Sequence, residues 1–443
     1  LRLHTEVCVF AYYVDLAWRS LKRTPILSAL MVLAIGIGIG ASMTMITVLH
    51  VMSGDPLPGS SGKLFVPMLD PYSLEHAKAN GITSTPDGFT WVDAMNLLRE
   101  HRADRQAAMQ QGGVAIRPAV ADLHPFFESG EFTTSDFFAM FGARFRAGSG
   151  WTAQQDRERA RVVVLNTELD RKLFGNATGI GQTVRLDNTE FRMIGVLDDW
   201  HPQPRFYGQP GYRIFGDADQ FFVPIQTALE LKFSFSGHFS CWGDSSGSRT
   251  SDQCTWLQYW VELDSPARVS AYKRYLANYW RDQQAHGRFP RKNSPPRLYG
   301  MMTWLTHWNV IPANLSMQMW LAVGFLIVCM LSVVALLLAK FLRRSGEISV
   351  RRALGARRRD IFAQFGVESA VIGVAGGLLG LAIAQLGLWS IRQRPDGYAH
   401  LAQMDAAMLI ATVVLAIVAS VLAGLLPAWR ACQMPPAMHL KTQ

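Results

Sequence analysis

The sequence predicts a membrane α-helical protein with four transmembrane helices and a large α+β extracytoplasmic domain inserted between helices 1 and 2. Hydrophobic residues make up 49% of the 443, and they collect in four long runs. Charged residues make up only 17%, whereas soluble proteins usually carry about a quarter. Basic residues cluster beside the runs, and the stretch between the first two runs has the composition of a globular domain.

The first run, 26–51, follows Arg19, Lys22 and Arg23. A helix needs about 20 residues to cross the hydrocarbon core, and this run exceeds the apolar region of about 7 to 15 residues in a cleaved signal peptide. We therefore expect it to stay in the membrane. Residues 1–25 place apolar side chains near one face and predict an interfacial helix on the inner leaflet, with contact to a cytoplasmic partner as the alternative.

The other runs and their links predict an orientation. The link 340–360 carries eight basic residues against two acidic ones, and the loop 390–405 carries two of each. Cytoplasmic loops are enriched in Lys and Arg, so both termini, 1–25 and 427–443, and the link should be cytoplasmic. We predict three further membrane spans, at 317–339, 361–389 and 406–426. The segments predicted to lie outside the membrane on the other side are 52–316 and 390–405.

The net charge of +9 could suggest nucleic acid as a partner. However, residues 50–316 hold 27 basic and 27 acidic residues, and the remainder holds 16 against 7. A nucleic-acid-binding protein would concentrate basic residues on a folded soluble face. The charge therefore indicates membrane orientation and lipid contact, and excludes nucleic acid.

Within the inserted domain, the stretch 161–197 reads as a strand, a short helix ended by Gly175, a glycine turn and a hairpin through Asp187 and Asn188. Residues 202–216 and 234–251 are rich in Gly, Pro, Ser and aromatics, and predict loops or an inserted subdomain. Tryptophans such as Trp256 are expected to be core anchors, with contact to substrate as the alternative.

The chemistry-bearing residues predict no enzyme. Cys241 and Cys254 flank a polar loop in the inserted domain, and we expect a disulfide because thiolate metal sites favour CxxC-like spacing. Asp198, Asp199 and His201 lack further ligand-like spacing, so no metal site is expected. The chain has no GxxxxGK[ST] motif. ATP hydrolysis would then belong to another subunit.

Three features of the helical part remain open from the residues alone. The link has a helical middle from Glu347, and it fits a coupling helix or a basic segment holding lipid headgroups equally well. Glu368 either pairs with a basic residue near the cytoplasmic interface or lies where the membrane has not yet begun. The third feature is GxxxG spacing, which allows close helix approach but does not decide between packing within one chain and packing between two chains. The glycines concerned are Gly373, Gly376, Gly377 and Gly380.

Three blocks resemble MacB/FtsX-type ABC transporter permeases. The first is LAWRSLKRTP at 16–25, the second is the strand–helix–hairpin at 161–197, and the third is EISVRRALGA at 347–356, followed by Glu368 and the glycines of 373–380. The ending LPAWRA at 426–431 also matches the tail of that family. The blocks follow the family's order across nearly the whole chain, with a MacB-like periplasmic core domain, an FtsX-like permease domain and no fused ATPase.

The resemblance implies a subunit of the bacterial inner membrane that relays ATP-driven motion to its periplasmic domain. It implies a partner ATPase that binds ATP and Mg, a second permease copy or paralogue in a homo- or heterodimer, and in some systems a periplasmic adaptor and an outer-membrane channel. Export of an antibiotic, peptide or amphiphile is the expected function, and LolC/LolE-like lipoprotein extraction or FtsX-like activation of a cell-wall hydrolase are the alternatives. The residues implied to couple to the ATPase are Glu347, Ile348, Val350, Arg351, Arg352, Leu354 and Gly355.

Overall fold

The computed structural model describes residues 15–17, 19–118, 124–175, 177–209, 214–243, 248–308, 310, 313–343, 355, 357–393, 404 and 406–433. The chain divides into two compact units. We call residues 1–53 and 311–443 the helical unit, and Gly54–Val310 the inserted unit.

The described helices are numbered in chain order. They are α1 (Pro25–Ser53), α2 (Leu74–Ala79), α3 (Trp91–Glu100), α4 (Phe137–Met140), α5 (Ala153–Arg157), α6 (Thr167–Phe174), α7 (Ile225–Glu230), α8 (Pro266–Ala285), α9 (Met301–His307), α10 (Ala313–Arg343), α11 (Arg358–Arg392) and α12 (Ala406–Gln433), with a 3-10 turn at Ser61–Lys63.

Among the described residues, the helical unit contains four helices long and apolar enough to cross a membrane, namely α1, α10, α11 and α12. They contain the predicted runs 26–51, 317–339, 361–389 and 406–426. Residues 15–17 and 19–23 before α1 are also helical, and the rest of the predicted interfacial helix lies outside the described residues. The four helices, with a mixed α/β domain between the first and the second, confirm the predicted fold class.

The strands belong to the inserted unit. They are β1 (Leu64–Met68), β2 (Phe89–Thr90), β3 (Arg105–Arg117), β4 (Phe126–Thr133), β5 (Phe145–Gly148), β6 (Val162–Asn166), β7 (Thr183–Leu186), β8 (Thr189–Leu197), β9 (Phe221–Pro224), β10 (Ser234–Phe235), β11 (Ser240–Cys241), β12 (Cys254–Glu262) and β13 (Arg297–Gly300).

These strands form a 13-stranded sheet with the main order β13-β1-β12-β3-β4-β9-β6-β8-β5. Most neighbours are antiparallel, and the pairs β4–β9 and β6–β8 are parallel. Strands β2 and β11 pair with β12, β10 pairs with β3, and β7 pairs with β3 and β8. The sheet is therefore mixed, as expected for an α+β domain whose helices interrupt runs of strands.

The stretch 161–197 has the predicted order of elements. The side chain of Asn166 accepts a hydrogen bond from the Leu169 amide and so caps α6. Gly175 ends α6 with φ +67, and Asp187 adopts φ +51 in the tight connection between β7 and β8. Short polar side chains and glycine tolerate this left-handed region, and therefore the turns form where the composition indicates.

The stretch 234–251 differs from the loop prediction because it contains β10 and β11. These two short strands add to the edges of β3 and β12. Their backbone hydrogen bonds come from partners distant in sequence, so composition alone does not reveal them. In contrast, no helix or strand occurs in the described parts of 202–216.

Large aromatic side chains fill the core of the inserted unit around β3, β4 and β12. Trp256, Trp260 and Tyr259 on β12 are fully buried, as is Phe132 on β4. Burying such side chains stabilises a fold by roughly 1.5–3 kcal/mol each. The tryptophans of β12 therefore act mainly as core anchors, the favoured reading from the sequence.

Candidate functional site

Close helix contacts in the helical unit join α1 to α11 through glycines. A Cβ built on Gly40 would lie 2.9 Å from the carbonyl oxygen of Gly380, and one built on Gly380 would lie 3.1 Å from the carbonyl oxygen of Gly36. A Cβ on Gly376 would lie 2.6 Å from Cγ2 of Ile35. The two backbones approach so closely that a larger residue would clash, which is the role of small residues at membrane-helix interfaces.

A second close contact joins α11 to α12. A Cβ on Gly373 would lie 2.9 Å from Cβ of Ser420, and one on Gly377 would lie 2.8 Å from Cβ of Ala416. The four glycines singled out in the sequence thus divide between two faces of α11. Gly376 and Gly380 face α1, and Gly373 and Gly377 face α12. These contacts all lie within one chain.

A buried ion pair links α10 to α11 near the ends that border the 344–357 segment. Nζ of Lys340 lies 2.5 Å from Oε1 of Glu368, and both side chains are 0% exposed. Ser20, in the helical segment before α1, donates its hydroxyl to the same carboxylate. Three separate parts of the helical unit therefore meet at one carboxylate.

An aromatic contact also joins α10 to α11, one residue after Lys340 and three residues before Glu368. The rings of Phe341 and Phe365 lie 4.1 Å apart, centroid to centroid, and both side chains are buried. An isolated charge in such a place costs several kcal/mol, whereas a paired and hydrogen-bonded one is tolerated. The sequence left a basic partner as one of two alternatives for Glu368, and it did not identify Lys340 or the hydroxyl of Ser20, because both contacts depend on how the helices pack.

The hydroxyl groups within the helices mostly bond to their own backbone. Ser42 donates to the Gly38 carbonyl at 2.8 Å and Thr44 to the Gly40 carbonyl at 2.8 Å. Ser332 and Thr412 donate to the carbonyls of Val328 at 2.9 Å and Met408 at 2.7 Å. Such bonds use the hydroxyl proton inside the same helix, and Ser42 also lies 3.0 Å from the Ala322 carbonyl of α10.

Most of the residues implied to couple to an ATPase, namely Glu347, Ile348, Val350, Arg351, Arg352 and Leu354, lie outside the described residues. Gly355 is described: it is exposed, in a turn, with φ +98. This backbone conformation favours glycine over any residue with a Cβ. After this turn α11 begins at Arg358.

In the inserted unit, Cys241 and Cys254 form a disulfide with an S–S distance of 2.10 Å. The two residues lie opposite each other where β11 pairs with β12. The bond therefore closes the connection between those strands, and the described residues in that connection are 242–243 and 248–253.

A buried charged cluster also lies in the inserted unit, and no sequence motif indicated it. Arg205 lies 2.9 Å from a carboxylate oxygen of Glu131 and 3.3 Å from one of Asp219, and Tyr207 donates to Asp219 at 2.7 Å. Burial raises the pKa of Glu131 well above its usual range. These contacts join Arg205, Tyr207 and Asp219 to Glu131 on β4. Their role is to hold these residues in place.

No group of three or more His, Cys, Asp or Glu side chains that could hold a metal ion occurs among the described residues. Asp198, Asp199 and His201 all belong to the described part of the chain, and the ring of His201 lies 3.0 Å from the Gly216 carbonyl. The features that bear on function are thus the helix contacts, the buried ion pair and the surface of the inserted unit.

Two family models match the chain. The model described as the MacB-like periplasmic core domain matches residues 28–279. The model described as the FtsX-like permease C-terminal matches residues 319–436.

Curated relatives include two exporters. The chain is 25% identical over 307 residues to the macrolide export ATP-binding/permease protein MacB of Salmonella typhi, covering 68% of this chain and 42% of the relative. It is 25% identical over 446 residues to the pyoverdine export ATP-binding/permease protein PvdT of Pseudomonas aeruginosa, covering 97% of this chain and 58% of the relative. The chain thus spans about half the length of these relatives.

Among solved structures, the periplasmic region of MacB from Actinobacillus actinomycetemcomitans matches with a TM-score of 0.36 and 14% sequence identity. The match covers 57% of this chain and 96% of that structure.

Proposed function

This chain belongs to the family of MacB/FtsX-type permeases, and from that premise we propose that it relays ATP-driven motion to its inserted unit. In this proposal the ATPase that binds ATP and Mg lies outside these 443 residues, because the sequence has no phosphate-binding loop. The ATPase pushes on the 340–360 link, and the inserted unit moves substrate on the outer side of the bacterial inner membrane. Both termini are cytoplasmic.

The single observation that carries this proposal is the buried Lys340–Glu368 pair. It joins α10, which ends at Arg343, to α11, which begins at Arg358. These two helices flank the link. Separating a buried ion pair costs about 3–5 kcal/mol, so a displacement of the link would move α10 and α11 together instead of spreading them apart.

The glycine contacts extend this path to α1. Gly376 and Gly380 of α11 pack on Ile35, Gly36 and Gly40 of α1 so closely that an added Cβ would clash. Side-chain rearrangement alone therefore leaves no room for one helix to slide past the other. The chain then continues from α1 at Ser53 into the inserted unit at Gly54. A shift of α11 would therefore be transmitted to α1 and along the chain.

The polar groups of the helices favour a relay over a pore within one chain. The hydroxyls of Ser42, Thr44, Ser332 and Thr412 bond to backbone carbonyls of their own helices. A route for a polar solute would need polar groups facing an open path. The arrangement of the described residues is better suited to transmitting movement.

For the substrate, we propose an amphiphile such as an antibiotic or a peptide. The printed names of two relatives describe export of a macrolide and of pyoverdine. The partners in this proposal are an ABC ATPase, a second permease copy or paralogue, a periplasmic adaptor, an outer-membrane channel and membrane lipids.

Co-purification tests the proposal. A double variant with Arg351→Glu and Arg352→Glu reverses two charges in the segment implied to dock the ATPase. We expect the tagged wild-type chain to recover an ATPase from its native cell under mild detergent, and the double variant to lose it while inserting normally into the membrane. A matched control is Arg394→Glu, a charge reversal in the loop predicted on the opposite side.

Two results would contradict the proposal. The first is a wild-type chain that never recovers an ATPase. The second is a double variant that recovers as much ATPase as the wild type, which would show that the link is not the docking segment.

A further inference from the structure

The inserted unit contains a cavity that joins one cationic side chain to several aromatic rings. Its volume is about 290 Å³, and its lining includes Gln110 on β3, Phe235 on β10, Phe239, Arg249 and Trp256 on β12. Arg249 lies in the β11–β12 connection closed by the disulfide. The cavity is therefore built where three strands and a covalently closed loop meet.

Arg249 brings a positive charge to this cavity, and no carboxylate among the described residues lies within ion-pair distance of it. Its guanidinium carbon lies 4.9 Å from the ring centre of Phe235 and 5.6 Å from that of Phe239. Its Nε is buried without a hydrogen-bond partner, and no ion pair of Arg249 occurs among the described residues. Burial lowers the pKa of this guanidinium. An anion in the cavity would supply the missing partner.

Aromatic rings next to Arg249 form much of the lining. Trp256 is 1% exposed and contacts Phe235 with ring centres 4.9 Å apart and Phe239 with ring centres 6.1 Å apart. Phe239 is 42% exposed and stands at the rim. A flat apolar body could enter past Phe239 and pack on these rings, with its charged group next to Arg249.

A hydrogen-bond acceptor completes the lining. Gln110 is 3% exposed and donates through Nε2 to the Ser236 carbonyl. Its Oε1 is buried and has no donor among the described residues. Burying an amide oxygen without a partner costs roughly 1–3 kcal/mol.

We propose that this cavity binds a small amphiphile with one anionic group, held by Arg249 and packed on Phe235, Phe239 and Trp256. The inference rests on the proposed export function and names the chemistry of the substrate: an aromatic or similarly flat apolar body bearing a carboxylate or another anion. The inserted unit would hold this substrate before the relay moves it on.

The test measures binding to the full chain in phosphatidylcholine nanodiscs by equilibrium dialysis, with empty nanodiscs as the reference. The probe is 2-naphthoate, and its uncharged analogue is 2-naphthamide. We expect 2-naphthoate to bind the wild type more tightly than 2-naphthamide does. Arg249→Gln should weaken 2-naphthoate binding by about 10-fold or more, since it removes a charge-assisted contact, and should leave 2-naphthamide binding nearly unchanged.

Two further variants keep the test decisive. Phe239→Ala removes a partly exposed ring at the rim, so it should fold normally and weaken both probes. Arg99→Ala removes an exposed guanidinium on α3, away from the cavity lining, and should change neither. Thermal melting and mapping of the Cys241–Cys254 bond check that each variant is folded.

The proposal is overturned if the wild type binds 2-naphthoate no better than empty nanodiscs do, or if neither Arg249→Gln nor Phe239→Ala weakens binding. Equal affinity of the two probes would also overturn it, because the charge would then have no role. The measurement needs no ATPase. A failure here leaves the relay proposal standing, and a failure of ATPase co-purification leaves this binding result standing.

Discussion

At the scale of single residues, the most consequential feature is the carboxylate of Glu368. A charged side chain in a membrane span is costly and marks a functional position unless another group compensates it. Here Lys340 and Ser20 both contact it, and each comes from a different segment. The three residues form a polar junction in an otherwise apolar unit. The stability of that unit and the coupling of its helices depend on the same contact.

A double-mutant cycle on this pair tests its contribution. Lys340→Met alone or Glu368→Leu alone leaves one buried charge without its partner, and each should lower the free energy of unfolding by about 3–5 kcal/mol. The double variant removes both charges and should be close to the wild type, because an apolar pair of similar volume is often no less stable. The measurement is unfolding in mixed detergent micelles with increasing SDS.

The same cycle separates stability from relay. If the double variant is stable but no longer stimulates its ATPase in the presence of substrate, the ion pair transmits motion. Single variants as stable as the wild type would show that the pair is not buried as described.

At the scale of elements, the main feature of the helical unit is the packing of α11 against α1 and α12. One face of α11 uses Gly376 and Gly380 against α1, and the other uses Gly373 and Gly377 against α12. The four-residue spacing places each pair on one face, since residues at i and i+4 lie above one another. Both of these faces of α11 therefore pack within the chain. Other side chains of the helix, such as Leu378 and Leu386, are exposed.

Filling one of these contacts should separate α1 from α11. In Gly40→Ala the added Cβ would lie 2.9 Å from the Gly380 carbonyl oxygen and 2.7 Å from Cγ2 of Ile383. Overpacking of this kind costs roughly 1–3 kcal/mol, and we expect that loss in the same unfolding assay. Gly366→Ala is the control, because a Cβ there meets nothing within 4 Å. The control should be neutral or up to about 1 kcal/mol more stable, since alanine favours helix. Equal effects at both positions would refute the close packing.

The β11–β12 connection makes a second prediction at this scale. The disulfide joins residues separated by 13 positions. A cross-link around a loop of this size stabilises by about 3 kcal/mol through loss of chain entropy in the unfolded state. Cys241→Ser should lower the thermal midpoint of the inserted unit, and reductant should lower it in the wild type but not in the variant. Free thiols at both positions in oxidised, membrane-embedded protein would contradict the assignment.

At the scale of the whole molecule, the two units divide the charge of the chain. Residues 50–316 carry balanced charge, and the excess of basic residues flanks the four membrane helices. Basic residues stay on the cytoplasmic side of a membrane. The link between α10 and α11 should therefore lie on the face opposite to the inserted unit, and the relay requires this arrangement.

Cysteine labelling tests this topology. In a background with serine at Cys8, Cys329 and Cys432, Asn188→Cys places an exposed thiol in the β7–β8 turn, and Arg357→Cys places one just before α11. An impermeant maleimide should label Asn188→Cys in intact spheroplasts, and Arg357→Cys only in inside-out vesicles. Labelling of both from the same side would exclude the relay, because the ATPase could not reach the link.

Sequence patterns predicted well wherever the cause is local. Membrane spans follow from the length of an apolar run, whereas the orientation inferred from flanking charge stays a prediction. The caps and turns of 161–197 follow from Asn166, Gly175 and Asp187, whose conformational preferences are intrinsic. Patterns were less specific where the partner is distant: they predicted loops or an inserted subdomain for 234–251, and they did not reveal β10 and β11, whose hydrogen bonds come from β3 and β12.

The sequence by itself determined four apolar spans, the domain inserted between the first two, and the family to which the chain belongs. Tertiary structure alone decided that Lys340 and Ser20 meet Glu368, that the glycines of α11 divide between α1 and α12, and that Arg249 shares a cavity with Trp256. The physical reason is how far apart in the sequence the interacting groups lie. Burial in a bilayer and turn preferences act on consecutive residues, whereas an ion pair, a close helix crossing or a cavity needs groups that only the folded chain brings together.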